Sequence, residues 1–306
     1  MKKSFAIHIS LRTLIFFSVI CTVVPGCIAP RSMMDSGKVT PKKQIKMGAS
    51  YSANFPTQTI KNVVEAAETL DNDTIYDDAF NRSARYLFAY ALDPLSVGVN
   101  YYARYGIIDR VDIGYKYAAG THACDAKYQF WGNLGPIGSE AKNTIYGSVG
   151  LQYSFNNYKL PFGFDKIQER IGFDLKRKDI LIPLIFSISL GPEERIGHIS
   201  WGLAYNHTFL EYGFEPKEIY NIQTNLPFTA SHHKKNFAAI GAFVNMKVGY
   251  KYAYFLASFS AYYQNYGKFI MLDGSQVSFS GFTFVPSIGL QIVIPPLGKK
   301  NKKADI

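Results

Sequence analysis

One pattern governs the chain from Gln44 to Ile294: apolar side chains recur at every second position over segments mostly nine to thirteen residues long. Residues 143–155 show it most cleanly. There Ile145, Gly147, Val149, Leu151, Tyr153 and Phe155 oppose Thr144, Tyr146, Ser148, Gly150, Gln152 and Ser154. A period of two puts successive side chains on opposite faces of a sheet, so each segment reads as a strand with one apolar face and one small or polar face. Ten can be drawn, at 43–55, 95–105, 111–120, 124–132, 143–155, 180–190, 197–208, 238–250, 253–264 and 281–294. A tilted strand crossing a bilayer needs about 9 to 11 residues, the length that recurs here.

The connections give an independent reading. Transmembrane barrels alternate short turns on one side with longer loops on the other. Four of the five odd-numbered connections (56–94, 156–179, 209–237 and 265–280) are longer than every even-numbered one, and the exception is the tight 121–123 link. With ten strands, both chain ends fall on the short-turn side. An open sheet edge in lipid would leave backbone groups unpaired at several kcal/mol each, which predicts closure. The expectation is therefore an all-β fold: an antiparallel, up-and-down transmembrane β-barrel of about ten strands. A short helix is expected in the first outer loop, where Ile60, Val63, Val64, Ala67 and Leu70 share one helical face.

Composition fits that reading. Aromatic residues make up 15% of the chain, and charged residues, at 18%, lie below the roughly 25% usual for soluble domains. The apolar content of 47% excludes intrinsic disorder. No apolar run of 18 residues occurs beyond the first 30 positions, which excludes a helical membrane bundle. Aromatics on the apolar faces group toward the two strand ends. Phe55, Tyr117, Phe155, Tyr205, Tyr263 and Phe282 lie at the outer rim, and Tyr105 and Tyr250 at the inner. A soluble sandwich or a lipid-anchored periplasmic barrel, with the apolar face as its core, predicts the same alternation and stands as the alternative.

At the amino terminus, Lys2 and Lys3 precede an apolar stretch from Leu14 to Val24 and then Pro25-Gly26-Cys27, the layout of a secretory signal. The ending resembles a bacterial lipobox; Val24 and Gly26 fit it, and Pro25 departs from it. The resemblance implies a signal at 1–26, acylation of Cys27 and export to the outer membrane. A periplasmic linker at 27–42, the barrel at 43–294 and a basic periplasmic tail at 295–306 follow. The anchor would then sit on the periplasmic side. An ordinary secretory signal with a chance cysteine is the alternative. With Cys21 removed and Cys27 acylated, Cys124 stands alone, so neither a disulfide nor a cysteine metal site is expected.

The stretch Tyr105–Tyr117 (YGIIDRVDIGYKY) with Asp125–Phe130 (DAKYQF) resembles a hairpin pattern of uncharacterised bacterial outer-membrane β-barrel proteins and lipoproteins. The final strand, Ser287 to Ile294, resembles the assembly signal of such barrels, but it ends in Ile294 rather than an aromatic. The resemblance implies outer-membrane lipid, the barrel-assembly machinery and the lipoprotein-processing machinery as partners.

Chemistry is sparsely signalled. His232-His233 is flanked by Lys234 and Lys235, with no acidic residue between Glu218 and Asp273 to orient a general base. A rim protease or lipid hydrolase is therefore the lesser reading, and no enzyme is expected. No phosphate-cradling loop or metal-ligand spacing is present, and no cofactor is expected. Nucleic acid is not expected either, because no basic patch is interleaved with stacking aromatics. The polar faces carry Arg104, Asp112, Lys116, Asp125, Lys127 and Lys247 as candidate lumen-lining residues. Pairing 120 with 123 would set Lys116 opposite Lys127. Two readings follow: an ion-pair network that fills the lumen, or a narrow path for small ions or solutes with an anion preference, since four cations face two anions. The role expected is a narrow pore or an envelope and surface-interaction protein.

Overall fold

The computed structural model describes residues 30–61, 88–90, 92–133, 145–158, 172–215, 230–270 and 276–295. Within these residues the chain forms ten antiparallel strands: β1 (Ile45–Pro56), β2 (Ser96–Ile108), β3 (Val111–Ala118), β4 (Thr121–Trp131), β5 (Ile145–Tyr158), β6 (Phe173–Leu190), β7 (Gly197–Phe214), β8 (Ser231–Tyr250), β9 (Ala253–Ile270) and β10 (Gln276–Ile294). Each strand pairs with its sequence neighbours, and β1 pairs with β10, so the sheet closes. All ten alternating segments are strands, and the fold is the up-and-down barrel expected.

The strands β6 to β10 run further than the apolar alternation alone suggests. Period 2 continues past the apolar positions with charged residues on the outward face. Lys176 and Lys178 point out, while Leu175, Arg177 and Asp179 are buried, so the charge run at 174–179 is strand. Across the ladder, Lys176 faces Glu211 and Glu211 faces Lys234. The long link expected between β9 and β10 shrinks accordingly to 271–275. We call the end holding connections 57–95, 119–120, 159–172, 215–230 and 271–275 the loop end. The opposite end, with 109–110, 132–144, 191–196 and 251–252, is the turn end.

The β3–β4 hairpin differs from the expected pairing. Ala119 and Gly120 both take positive φ (44° and 92°), which makes a two-residue turn of the kind that matches strand twist. Residue 118 therefore pairs with 121, Asp112 stands opposite Lys127, and Lys116 stands opposite Ala123 rather than Lys127.

Apolar faces point outward all round the barrel; Leu203, Ile240 and Leu290 are 59%, 65% and 65% exposed. Tyr117, Phe155, Tyr205, Tyr263 and Phe282 form an outward row toward the loop end, and Tyr250 is joined near the turn end by Trp131 and Tyr252. In the first loop residues 57–61 are helical; the rest of the helix expected through Leu70 lies outside the described residues. Helical residues at 88–90 and 92 seat Phe88, Ala89 and Leu92 among Leu175, Leu210, Phe237, Phe269 and Phe279, an apolar cap inside the loop end.

Candidate functional site

The lumen is the site that the strands build, and it is occupied. Residues 30–44, which include most of the expected periplasmic linker at 27–42, run through its interior as a strap. At its upper part the Pro30 and Arg31 carbonyls accept hydrogen bonds from Gln152 Nε2 (3.2 Å) and the Tyr262 hydroxyl (2.9 Å). Lys116 Nζ donates to the Ser32 carbonyl at 2.8 Å, and Ser258 Oγ to that of Met33 at 2.6 Å. Lower down, Asn245 Nδ2 donates to the Asp35 carbonyl and Lys127 Nζ to that of Ser36. The Val39 and Thr40 amides donate to Gln129 Oε1 (3.0 Å) and Asp112 Oδ2 (2.6 Å). At the turn end a Cβ on Gly106 would run into the Thr40 and Pro41 carbonyls, so glycine allows the strap to lie against β2. An extended segment inside a barrel has no ladder of its own, and wall side chains satisfy its backbone groups instead.

Charges lock the strap at three levels. Toward the loop end Arg31 pairs with Asp93 at 3.3 Å. Asp93 also accepts from Asn54, Gln264, Tyr266 and Thr283, so one carboxylate ties β1, β9 and β10 to the cap. Burial by itself pushes the Asp93 carboxyl up, but Arg31, the Thr283 hydroxyl, Arg177 and Asn54 outweigh it and hold it below its ordinary value. Beside it Arg177 grips Asp179 through two bonds of 2.8 and 2.9 Å and donates to the Leu92 carbonyl. At mid-depth Arg104 bonds Asp112 at 2.5 Å, contacts Asp125, and lies 3.3 Å from Asp35 of the strap. Near the turn end the Pro192–Glu194 turn folds inward, with Glu193 and Glu194 both at positive φ and fully buried. Glu193 bonds Lys38, and Glu194 meets Ser36 and, at 3.0 Å, Lys247. Burial raises the Glu194 carboxyl, yet the Lys247 ammonium and the charges of His198, Lys46 and Lys38 hold it well below the usual carboxylate range.

The six wall residues named from the sequence all lie on inner faces. Arg104, Asp112 and Asp125 meet directly, Lys127 stands 4.0 Å from both Asp112 and Asp35, Lys116 holds the strap backbone, and Lys247 belongs to the separate turn-end cluster. What the sequence hides is the charges supplied from outside the strands: Arg31, Asp35 and Lys38 from the strap, Asp93 from the first loop, and Glu193 and Glu194 from the inner turn. Among the described residues these carboxylates nearly match the inner cations, so the four-to-two excess of cations on the wall is largely offset. A cavity beside the strap, between Met33, Asp35, Tyr102, Arg104, Lys116 and Gln152, measures about 50 Å³, room for very few waters.

The histidines have partners that sequence spacing does not show. His232 Nε2 lies 3.3 Å from Glu215 Oε1, an acid brought beside it by the β7–β8 pairing; both side chains are two-thirds exposed at the rim. His122 accepts or donates at Tyr115 (2.7 Å) and stacks on Phe155 on the outward face. His198 bonds Ser200 at 2.7 Å inside the packed lumen. Among the described residues no group of three or more His, Cys, Asp or Glu side chains is arranged to hold a metal ion. Cys27 lies outside the described residues.

No family model and no curated protein matches the chain. Solved structures that resemble it include the outer membrane protein OprG from Pseudomonas aeruginosa, at 10% identity over 85% of this chain and 99% of that one, with a TM-score of 0.33. Ail, the attachment invasion locus protein of Yersinia pestis, aligns at 9% identity over 83% and 99%, with a TM-score of 0.31. A major outer membrane protein from Thermus thermophilus aligns at 10% identity over 82% and 99%, with a TM-score of 0.33. Likeness at this level assigns the chain neither a family nor an activity.

Proposed function

We propose that this chain is a lipid-anchored bacterial outer-membrane β-barrel with a sealed lumen, and that it acts without catalysis, through the surface of its loop end. The apolar exterior supports the membrane reading. A soluble barrel would turn those faces inward, whereas here large apolar side chains cover the outside in a continuous belt. The observation that carries the sealed reading is the strap, hydrogen-bonded to the wall from Pro30 to Thr40 beneath an apolar cap. With the lumen filled, what distinguishes the protein is the outer rim and its loops, which makes an envelope or surface-interaction role the reading that fits best. Acyl chains on Cys27, outer-membrane lipid, and the lipoprotein-processing and barrel-assembly machineries are the partners this reading implies.

Planar-bilayer recording of the folded, inserted protein tests it. The expected result is no discrete conductance. Steps whose ion selectivity shifts in Lys127→Glu would make the protein a narrow pore instead. Loss of fatty-acid labelling in Cys27→Ala tests the anchor, and labelling that persists would rule the anchor out.

A further inference from the structure

Exposed charge is distributed differently at the two ends of the barrel. At the loop end each exposed acid among the described residues meets a cation: Asp174 lies 3.5 Å from Lys176, Glu211 3.1 Å from Lys234 and Glu215 3.3 Å from His232. The described turn-end segments instead carry Lys42, Lys43, Arg195 and Lys251 exposed and Arg110 half-buried, against one exposed acid, Asp109. Glu193 and Glu194, beside Arg195 in the chain, turn inward to Lys38 and Lys247. Among the described residues none of these five cations forms an ion pair. Three of them, Lys43, Arg110 and Lys251, stand at φ of 65°, 67° and 57°. That left-handed region favours glycine and strains any residue with a side chain. The turns thus hold cations where backbone geometry alone would select glycine.

Two of these cations converge on one ring. The Arg195 guanidinium carbon lies 5.3 Å and Lys251 Nζ 5.1 Å from the centre of the Tyr250 ring, and Arg195 Nη2 donates to the Tyr250 hydroxyl at 2.8 Å. The backbones that carry them are tied together. The Tyr254 hydroxyl lies 3.3 Å from the Arg195 carbonyl and 3.0 Å from that of Lys251, and the Gly249 amide donates to the Ile196 carbonyl at 2.8 Å. The fold therefore brings two like charges together without giving them a counter-ion. Tyr250 and Tyr252 are exposed and continue the outward apolar face of Val248 and Phe255. Aromatic side chains in that position lie at the membrane interface, which puts Arg195 and Lys251 in the headgroup layer at the turn end. The anion within reach there is a lipid phosphate, which a guanidinium can hold through two parallel bonds while the ammonium supplies a point charge. A zwitterionic headgroup brings a cation of its own, so a net-anionic one fits better. We propose that Arg195, Tyr250 and Lys251 bind the phosphate headgroup of an anionic phospholipid, with Lys42, Lys43 and Arg110 extending the cationic rim. This rests on the proposed membrane reading.

The test uses the full chain, folded into phosphatidylcholine vesicles and probed with trace spin-labelled phosphatidylglycerol or phosphatidylcholine; the motionally restricted part of the spectrum reports lipid at the barrel wall. The expected result is a preference for phosphatidylglycerol of about twofold or more that declines as salt rises. Arg195→Gln with Lys251→Gln should lose most of it. Lys251→Gly, which relieves a positive φ while removing the charge, should lower the preference without lowering the unfolding midpoint. Lys176→Gln with Lys234→Gln, at the loop end, should leave it in place. Equal association of the two lipids with the inserted protein overturns the proposal, as does loss of the preference in the loop-end variant and not in the turn-end one. Inorganic phosphate that abolishes the preference at matched ionic strength would mean a site for free phosphate and overturn it too. If neither lipid shows a restricted component, the barrel does not span the bilayer, and the membrane reading itself fails.

Discussion

Arg31 Nη1 lies 3.3 Å from Asp93 Oδ2, with both side chains almost wholly buried, and this contact joins the start of the strap to the segment that caps the loop end. The pair sits in a web that also holds Asn54, Gln264, Tyr266 and Thr283. Two seals that look separate, strap and cap, are thus one structure.

Breaking that pair should be costly because it leaves an uncompensated buried charge. Asp93→Asn is expected to lose about 3–5 kcal/mol of stability, read from urea unfolding in detergent or lipid. Arg31→Met should cost much less in the Asp93→Asn background than in the wild type. Equal costs in the two backgrounds would show that the residues are not coupled.

Acid should loosen the turn-end seal. Glu194 is held below its ordinary value of 4.5, so its contribution is complete above that pH. As pH falls below 4.5, the unfolded chain takes up a proton that the folded one refuses, and stability declines until the folded carboxyl itself protonates. The slope of stability against pH below 4.5 is expected to be shallower in Glu194→Gln. An unchanged slope would mean that Glu194 is not the group responsible.

The hairpin that sets the mid-depth cluster depends on Gly120 at φ 92°. A β-branched residue there strains the turn, and Gly120→Val is expected to cost about 1–2 kcal/mol. The loss should appear in the unfolding midpoint, whereas Gly150→Ala, which lacks a positive φ and brings only a Cβ contact of 3.0 Å with the Pro183 ring, should change it less.

That hairpin also marks how far the sequence can be read. All ten strands are legible because period 2 is a local signal, and the inward placement of Asp112 or Lys127 follows from the same alternation. Register is not local. Taking 121–123 as the turn puts Lys127 opposite Lys116, where Ala123 stands, and shifts the other partners on β4 alike; only the paired positive φ values of Ala119 and Gly120 settle it. The strap is illegible for a different reason. Arg31 to Thr40 has no period, because its partners in the cap and wall lie 62 to 231 positions away along the chain. The same holds for Glu193 and Glu194, whose burial comes from an inward turn that composition cannot reveal.

The apolar exterior separates the membrane reading from a soluble one. Leu203, 59% exposed on β7, faces outward between Leu184 and Ala242. In lipid, Leu203→Arg is expected to cost about 2–4 kcal/mol of folding into vesicles. A soluble barrel would tolerate it or gain solubility, which sedimentation after alkaline extraction of membranes distinguishes.

The sealed lumen depends on the strap lying inside the barrel, and a crosslink tests that most directly. Ser36 Oγ of the strap and Ser187 Oγ of β6 are 3.1 Å apart, a separation a disulfide can bridge. In a Cys124→Ser background, the pair Ser36→Cys and Ser187→Cys should oxidise in the folded, membrane-inserted protein and shift its mobility on non-reducing gels. Two thiols that stay free under oxidant and react with maleimide in the folded, inserted protein would place the strap elsewhere and contradict the sealed lumen.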